Sequence, residues 1–252
     1  MAISTNVLLF LCPMVFLAGF IDSIAGGGGL ISLTSYMACG IPGTLALGTN
    51  KFSSFTGSTI ASVNYMRTKN YELRTLVSAS IAALAGSWAG SSCTMLIDPK
   101  VFSTIVLVIT PIAAVMVVVD KKHEEREKEL TTTAAILIGI AIGLVVGFYD
   151  GFYGPATGMF LQMSFILFAG LGAKKAAGNA RIANWASNFS ALANFIRTDN
   201  VIYTIAIPCA ACSMVGNWLG SRLAIKKDTR IIRPIMLCVI SLLFFKILLD
   251  LL

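Results

Sequence analysis

The chain has 252 residues, 56% of them hydrophobic and 12% charged, with a formal net charge of +7 and a mean hydropathy of +0.82. A soluble domain carries about 25% charged residues, so this composition excludes one and reads as an all-α polytopic membrane protein. The excess of Lys and Arg belongs with cytoplasmic loops rather than nucleic-acid binding, and no separate domain exists to hold a soluble active site.

Taken in chain order, residues 1–20 lack a basic leader and a cleavage pattern, so they read as a first membrane segment rather than a removed signal. That segment, near 5–24, breaks in GFIDSIAGGGGLISL (19–33), where Gly26, Gly27, Gly28 and Gly29 follow Asp22. Each glycine costs a helix interior roughly 1 kcal/mol relative to alanine, and a buried carboxylate is expensive too. A segment at 30–41 is too short to span a bilayer, which favours a re-entrant or short-helix hairpin. Helices near 45–66, 75–97 and 101–119 follow, then the charged run DKKHEEREKELTTT (120–133), too short to fold alone. The run IIRPIMLCVISLLFFKILLDLL (231–252) is a further clear span. Ten crossings, or six with two hairpins, both fit.

The six cysteines, Cys12, Cys39, Cys93, Cys209, Cys212 and Cys238, lie mostly in apolar segments. CAAC at 209–212 has redox spacing without the strand–helix context that such a motif needs, so it reads as packing. His123, the single histidine, lies among alternating charges and reads as solvated. No cofactor and no metal are expected.

Displaced by about 130 residues, the chain matches itself: ALGTNKFSSFTGSTIASVNYMRTKN (46–70) lies over AAGNARIANWASNFSALANFIRTDN (176–200) without a gap. GSWAGS (86–91) falls over GNWLGS (216–221), and, with a short gap, GFID (19–22) over GFYD (147–150). The division is a first membrane repeat at 1–119, a charged cytoplasmic linker at 120–131 and a second membrane repeat at 132–252. The segment 67–74 carries Arg67, Lys69 and Arg74 against Arg197 alone in its counterpart, while 222–233 holds five basic residues against one in 92–100. Opposite basic bias in equivalent loops places them on opposite sides. The expectation is two inverted-topology repeats with Gly-broken helices or re-entrant hairpins near the midplane, and both termini periplasmic. Inverted repeats mark secondary transporters.

Broken backbone at membrane depth is tolerated where it is buried in protein or lines a cavity. The breaks recur at matching places, Gly26 to Gly29 and Gly154-Pro155 to Gly158, which points to a binding site between them. Freed N–H groups at a half-helix start form an anion cradle. Lys51 and Arg181 occupy equivalent positions within the membrane, where a basic residue is costly and functional, and so suggest a central anion site. Asn179, Arg181, Asn184 and Asn188 form a polar face, with Asn194 continuing it; Thr49, Asn50, Ser53, Ser54 and Asn64 do the same in the first half. Asp22 and Asp150 each precede a break and could pair with a base, carry a proton or hold a cation. Arg67 and Arg197 read as interface anchors, and Trp88 and Trp218 as packing residues beside glycines.

At these residues the chain resembles the TauE/SafE family, the sulfite exporters and toluene-sulfonate uptake permeases. The resemblance rests on GFIDSIAGGGGLISLTSYMACGIPGTLALGTNKFSS (19–54) and its echo GFYDGFYGPATGMFL with GAKKAAGNARIANWASN (172–188). It implies a bacterial inner-membrane carrier of sulfite, sulfonates or related anions. One charge moved through 100 mV is worth about 2.3 kcal/mol, so an uncoupled anion leaves a negative cell downhill, whereas uptake needs a proton or sodium as coupling ion. The expected function is a secondary transporter, not an enzyme, exporting a small sulfur-containing anion by alternating access, with a homodimer as the candidate assembly. An anion channel and a carrier of a non-sulfur organic anion are the alternatives.

Overall fold

The computed structural model describes residues 5–98, 101, 104 and 130–226. The expected helix at 101–119, the linker with His123, most of the basic loop 222–233, Cys238 and the span 231–252 lie wholly or largely outside the described residues. Within them the chain forms eight helices and no strand. These are α1 (Thr5–Ala25), α2 (Gly28–Ala38), α3 (Gly43–Arg67), α4 (Leu73–Met95), α5 (Thr132–Phe152), α6 (Thr157–Leu167), α7 (Ala173–Arg197) and α8 (Tyr203–Lys226).

Local chemistry sets these boundaries. Between α1 and α2 the backbone turns at Gly26, whose φ of +82° suits glycine alone at little cost. Pro42, with its ring-fixed φ, precedes α3. Glu72 caps α4 by accepting from the amides of Arg74 and Thr75 at 3.2 and 2.7 Å. Between α5 and α6 lie Gly154 at φ +95° and Ala156 at φ +65°. A left-handed alanine costs about 1–3 kcal/mol and persists only where surrounding structure enforces it.

The arrangement inverts the polarity of a soluble protein. Helices α3 and α7 are the inner pair, burying Thr49, Asn50, Ser53, Asn179, Asn184, Asn188 and Asn194. Outward-facing positions on the others are apolar: Ile81, Val145 and Ile207 are 64%, 70% and 60% exposed. Among the described residues, three helices are long and apolar enough to cross a membrane, within Asn6–Ala25, Leu73–Met95 and Thr132–Phe152. Helices α3 and α7, at 25 residues each, would be about 37 Å long, but their polar side chains face protein.

Helix α4 packs on α5 and α1 on α8, while α3 and α7 lie between these pairs. The contacts recur at the sequence displacement. A Cβ on Gly86 or Gly90 would overlap the carbonyl oxygens of Leu144 or Phe148, and one on Gly216 or Gly220 those of Phe16 or Phe20. Asn64 donates to Ser221 Oγ at 2.8 Å, and Asn194 to Ser91 Oγ at 2.9 Å. Phe55 and Trp185, themselves equivalent, stack on each other with centroids 5.9 Å apart.

The tryptophans correct the sequence reading. Because Gly86 and Gly90 face α5, Trp88 two residues on is rotated by about 200° and must face outward. Trp88 and Trp218 are 42% and 40% exposed, with the guanidinium groups of Arg197 and Arg222 at 5.4 and 4.1 Å from their ring centroids. Cys209, in contrast, belongs to the apolar cluster around Tyr36 and Phe195.

Gly90→Ala and Gly220→Ala should each destabilise the chain by about 1–3 kcal/mol, read as a lower melting temperature in detergent. An unchanged melting temperature would show that the paired helices do not approach this closely.

Candidate functional site

Four charged side chains from four helices converge between the two breaks: Asp22 on α1, Lys51 on α3, Asp150 on α5 and Arg181 on α7. Lys51, Asp150 and Arg181 are at most 2% exposed, so each needs compensation. Lys51 has it: its Nζ lies 2.8 Å from Asp150 Oδ1 and donates to Asn188 Oδ1 at 3.1 Å. Asn188 is oriented in turn by donating Nδ2 to the Asn184 carbonyl at 2.8 Å. Gly154 makes room for this pair, since a Cβ there would stand 3.0 Å from Lys51 Nζ.

Arg181, the counterpart of Lys51, is arranged differently. Its Nε, Nη1 and Nη2 have no hydrogen-bond partner among the described residues. The Tyr65 hydroxyl stands beside it but donates to the Ser23 carbonyl at 3.1 Å. Asp22 feels its charge without closing an ion pair, and instead accepts from the Gly28 amide at 3.2 Å. The start of α2, expected to cradle an anion, is therefore already capped by the chain's own carboxylate. The guanidinium reaches the second break: a Cβ on Gly158 would lie 2.6 Å from Nη1. Gly158 in turn packs against Gly26, so the two breaks touch.

Two small cavities adjoin this cluster. The larger, about 30 Å³, is lined by Asn50, Lys51, Asp150, Thr157, Asn184 and Asn188 together with Gly154 and Gly158. The smaller, about 20 Å³, reaches Gly19, Gly28, Ser213 and Asn217. Asp22, Gly29 and Ser54 line both. A water needs about 10–15 Å³ of such space, so each cavity has room for an occupant of about that size and not for an organic anion. Asn50 Oδ1, Asp150 Oδ2 and Asn184 Oδ1 are buried acceptors without partners among the described residues. With Arg181 they offer unfilled donors and acceptors to a polar occupant.

Of the residues singled out from sequence, Asp22, Gly29, Asn50, Lys51, Asp150, Gly154, Asn184 and Asn188 thus meet at one place, with Arg181 behind Gly158. Gly26 forms the contact between breaks, Gly27 precedes α2 and Gly28 lines the smaller cavity. Asn179 stands apart: it accepts from the Glu72 amide at 3.0 Å and donates to the Glu72 carbonyl at 3.2 Å, pinning the start of α4. Burial alone would raise the Glu72 carboxyl, but hydrogen bonds from Thr75 and Arg74 outweigh it and hold the group below its ordinary value. Thr157, Ser213 and Asn217 were not among the sequence candidates. Thr157 sits inside GPATG, and Asn217 in the repeated glycine–tryptophan segment GNW opposite Ser87, so their positions in repeated motifs were the available signal.

The family profile described as "Sulfite exporter TauE/SafE" matches residues 11–247. A "Probable membrane transporter protein ORF9" from Sinorhizobium sp. is 30% identical, covering 97% of this chain and 94% of its own. A "Probable membrane transporter protein" from Haemophilus influenzae is 30% identical over 99% and 98% of the two chains. The "Probable membrane transporter protein YfcA" of Escherichia coli K12 is 33% identical over 94% and 88%. No solved structure matches.

Lys51→Gln leaves Asp150 as an uncompensated buried charge, at a cost of about 3–5 kcal/mol. Adding Asp150→Asn should restore most of the melting temperature in detergent. Equal loss in the single and double variants would mean that the pair is not what Lys51 supports.

Proposed function

The chain belongs to the TauE/SafE family of membrane transporters, and we propose that it carries a small sulfur-containing anion, sulfite or a sulfonate, across the bacterial inner membrane by alternating access. The carrying observation is Arg181: a buried guanidinium with three unpartnered nitrogens beside the wall of a polar cavity. A cation in that state is costly unless a partner arrives, and an oxyanion suits the planar fork of an arginine. The side-chain amide N–H groups of Asn50 and Asn184, which line the cavity, are the neutral donors that orient the oxygens without trapping the charge. Lys51 has a different role from the one its symmetry with Arg181 suggests. Its charge is balanced by Asp150, so it shapes the site while Arg181 supplies the free positive charge.

The carrier reading is supported by the exchange of contacts between halves. Helix α4, last described in the first half, packs on the first helix of the second, and α8 packs on α1 in the same way. Such reciprocity is expected of two repeats of inverted topology, with the breaks near the midplane and the linker cytoplasmic. Cavities this small fit a stage of alternating access in which the site is contracted and a larger anion is not yet admitted. An anion moving alone runs outward, down the membrane potential.

In proteoliposomes at a set membrane potential, saturable sulfite or sulfonate flux is expected. Arg181→Gln should lower it at least 100-fold at equal protein incorporation. Flux unaffected by Arg181→Gln would remove the residue from the site, and no flux of sulfite, sulfoacetate, taurine or sulfate would remove the sulfur reading.

A further inference from the structure

We infer that the smaller cavity is a binding site for Na⁺, and, resting on the carrier reading above, that this ion enters with the anion. The cavity lies between α1, α2, α3 and α8. Its polar lining includes the Asp22 carboxylate, the hydroxyls of Ser54 and Ser213, and Asn217, with no Lys, Arg, His or Cys among the lining residues. Oxygen donors with a single formal negative charge suit a hard monovalent cation. A divalent ion calls for more carboxylates or phosphates, and a transition metal for nitrogen or sulfur. A space of about 20 Å³ admits one particle the size of a water molecule.

A second observation points to a ligand. Asn217 is 2% exposed, and its Nδ2 donates to the Ser213 carbonyl at 3.0 Å, but its Oδ1 has no partner among the described residues. A buried acceptor left open in this way is expensive, and a cation at the cavity would satisfy it. The equivalent place in the other half lacks this oxygen. Ser213 and Asn217 correspond to Ala83 and Ser87, and the Ser87 hydroxyl is engaged, donating to the Ser187 carbonyl at 2.7 Å. Spare oxygen has been introduced on one side only, so it is not a by-product of duplication.

The charges explain why such an ion would matter. Asp22, Lys51, Asp150 and Arg181 sum to zero when ionised, so an anion entering the larger cavity leaves one negative charge uncompensated. Asp22 lines both cavities. A Na⁺ on its carboxylate offsets the charge of the anion and frees the field of Arg181, so each ligand strengthens the binding of the other. Coupled to inward-directed Na⁺, transport would run into the cell, opposite to the direction of an anion carried alone.

The test needs no substrate at first. Thermal melting of the purified full-length chain in detergent is followed against NaCl, with choline chloride keeping ionic strength constant and KCl in parallel. Melting should rise saturably with Na⁺ alone. Asn217→Ala should abolish the rise, and Ser54→Ala should weaken Na⁺ at least tenfold. Ser54→Ala removes a hydroxyl that holds nothing else in the described fold, so it decides the matter if Asn217→Ala fails to fold. Equal melting in the three salts, or a Na⁺ response unchanged in Ser54→Ala, overturns the site. Sulfite flux with and without a Na⁺ gradient then separates the two readings. Flux driven by Na⁺ supports the coupling. Flux indifferent to Na⁺ but driven by a pH gradient assigns Asp22 a proton and overturns it. Na⁺ binding without flux of sulfite, sulfoacetate, taurine or sulfate keeps the site and removes the sulfur reading.

Discussion

Placing charge inside a membrane helix bundle is the constraint from which the rest of this structure follows. Water is not there to solvate an ammonium, a guanidinium or a carboxylate, so each must meet an opposite charge, a set of dipoles or a ligand. The chain brings two acids and two bases to one place and satisfies them unequally. Lys51 and Asp150 close an ion pair, whereas Arg181 finds no hydrogen-bond partner among the described residues and Asp22 turns to a backbone amide. One pair is closed, and the other is left open.

Glycine makes the convergence geometrically feasible. The break residues let helices stop in mid-bundle, and Gly154 and Gly158 leave space that Lys51 and Arg181 fill. Along the outer seams, glycines on α4 and α8 bring backbones into contact. That is how membrane helices associate when hydrocarbon surrounds them and apolar burial supplies little drive. Polar residues meanwhile retreat to α3 and α7, where hydrogen bonds such as Asn64 to Ser221 replace those that water would make. The same inversion accounts for the tryptophans, which the one-sided glycine seam turns toward the exterior.

Much of this was legible in the chain's self-similarity. Duplicated breaks and paired charges located Asp22, Lys51, Asp150 and Arg181, and helix boundaries followed from glycine and proline positions to within a few residues. Duplication also misled, because it implied that equivalent residues act alike. The difference between Lys51 and Arg181 arises from which carboxylate each can reach, a matter of ångströms between helices that sequence spacing does not carry. Asn179 shares a helix with Asn184 and Asn188, but tertiary contact with the Glu72 backbone takes up its amide. Asn217 lies within a helix that reads as ordinary packing; only its oxygen, without a partner among the described residues, distinguishes it.

The stack of Phe55 on Trp185 has a mechanical consequence. Two residues at equivalent positions touch each other only where the axis relating their halves passes between them. If the halves trade conformations during a transport cycle, contacts away from that axis are exchanged for their mirror counterparts, while this one maps onto itself. In such a cycle the aromatic pair, flanked by Phe189 and held by the hydrogen bond from Trp185 Nε1 to Thr59 at 2.8 Å, would be the fulcrum, a bearing on which the halves rock without parting.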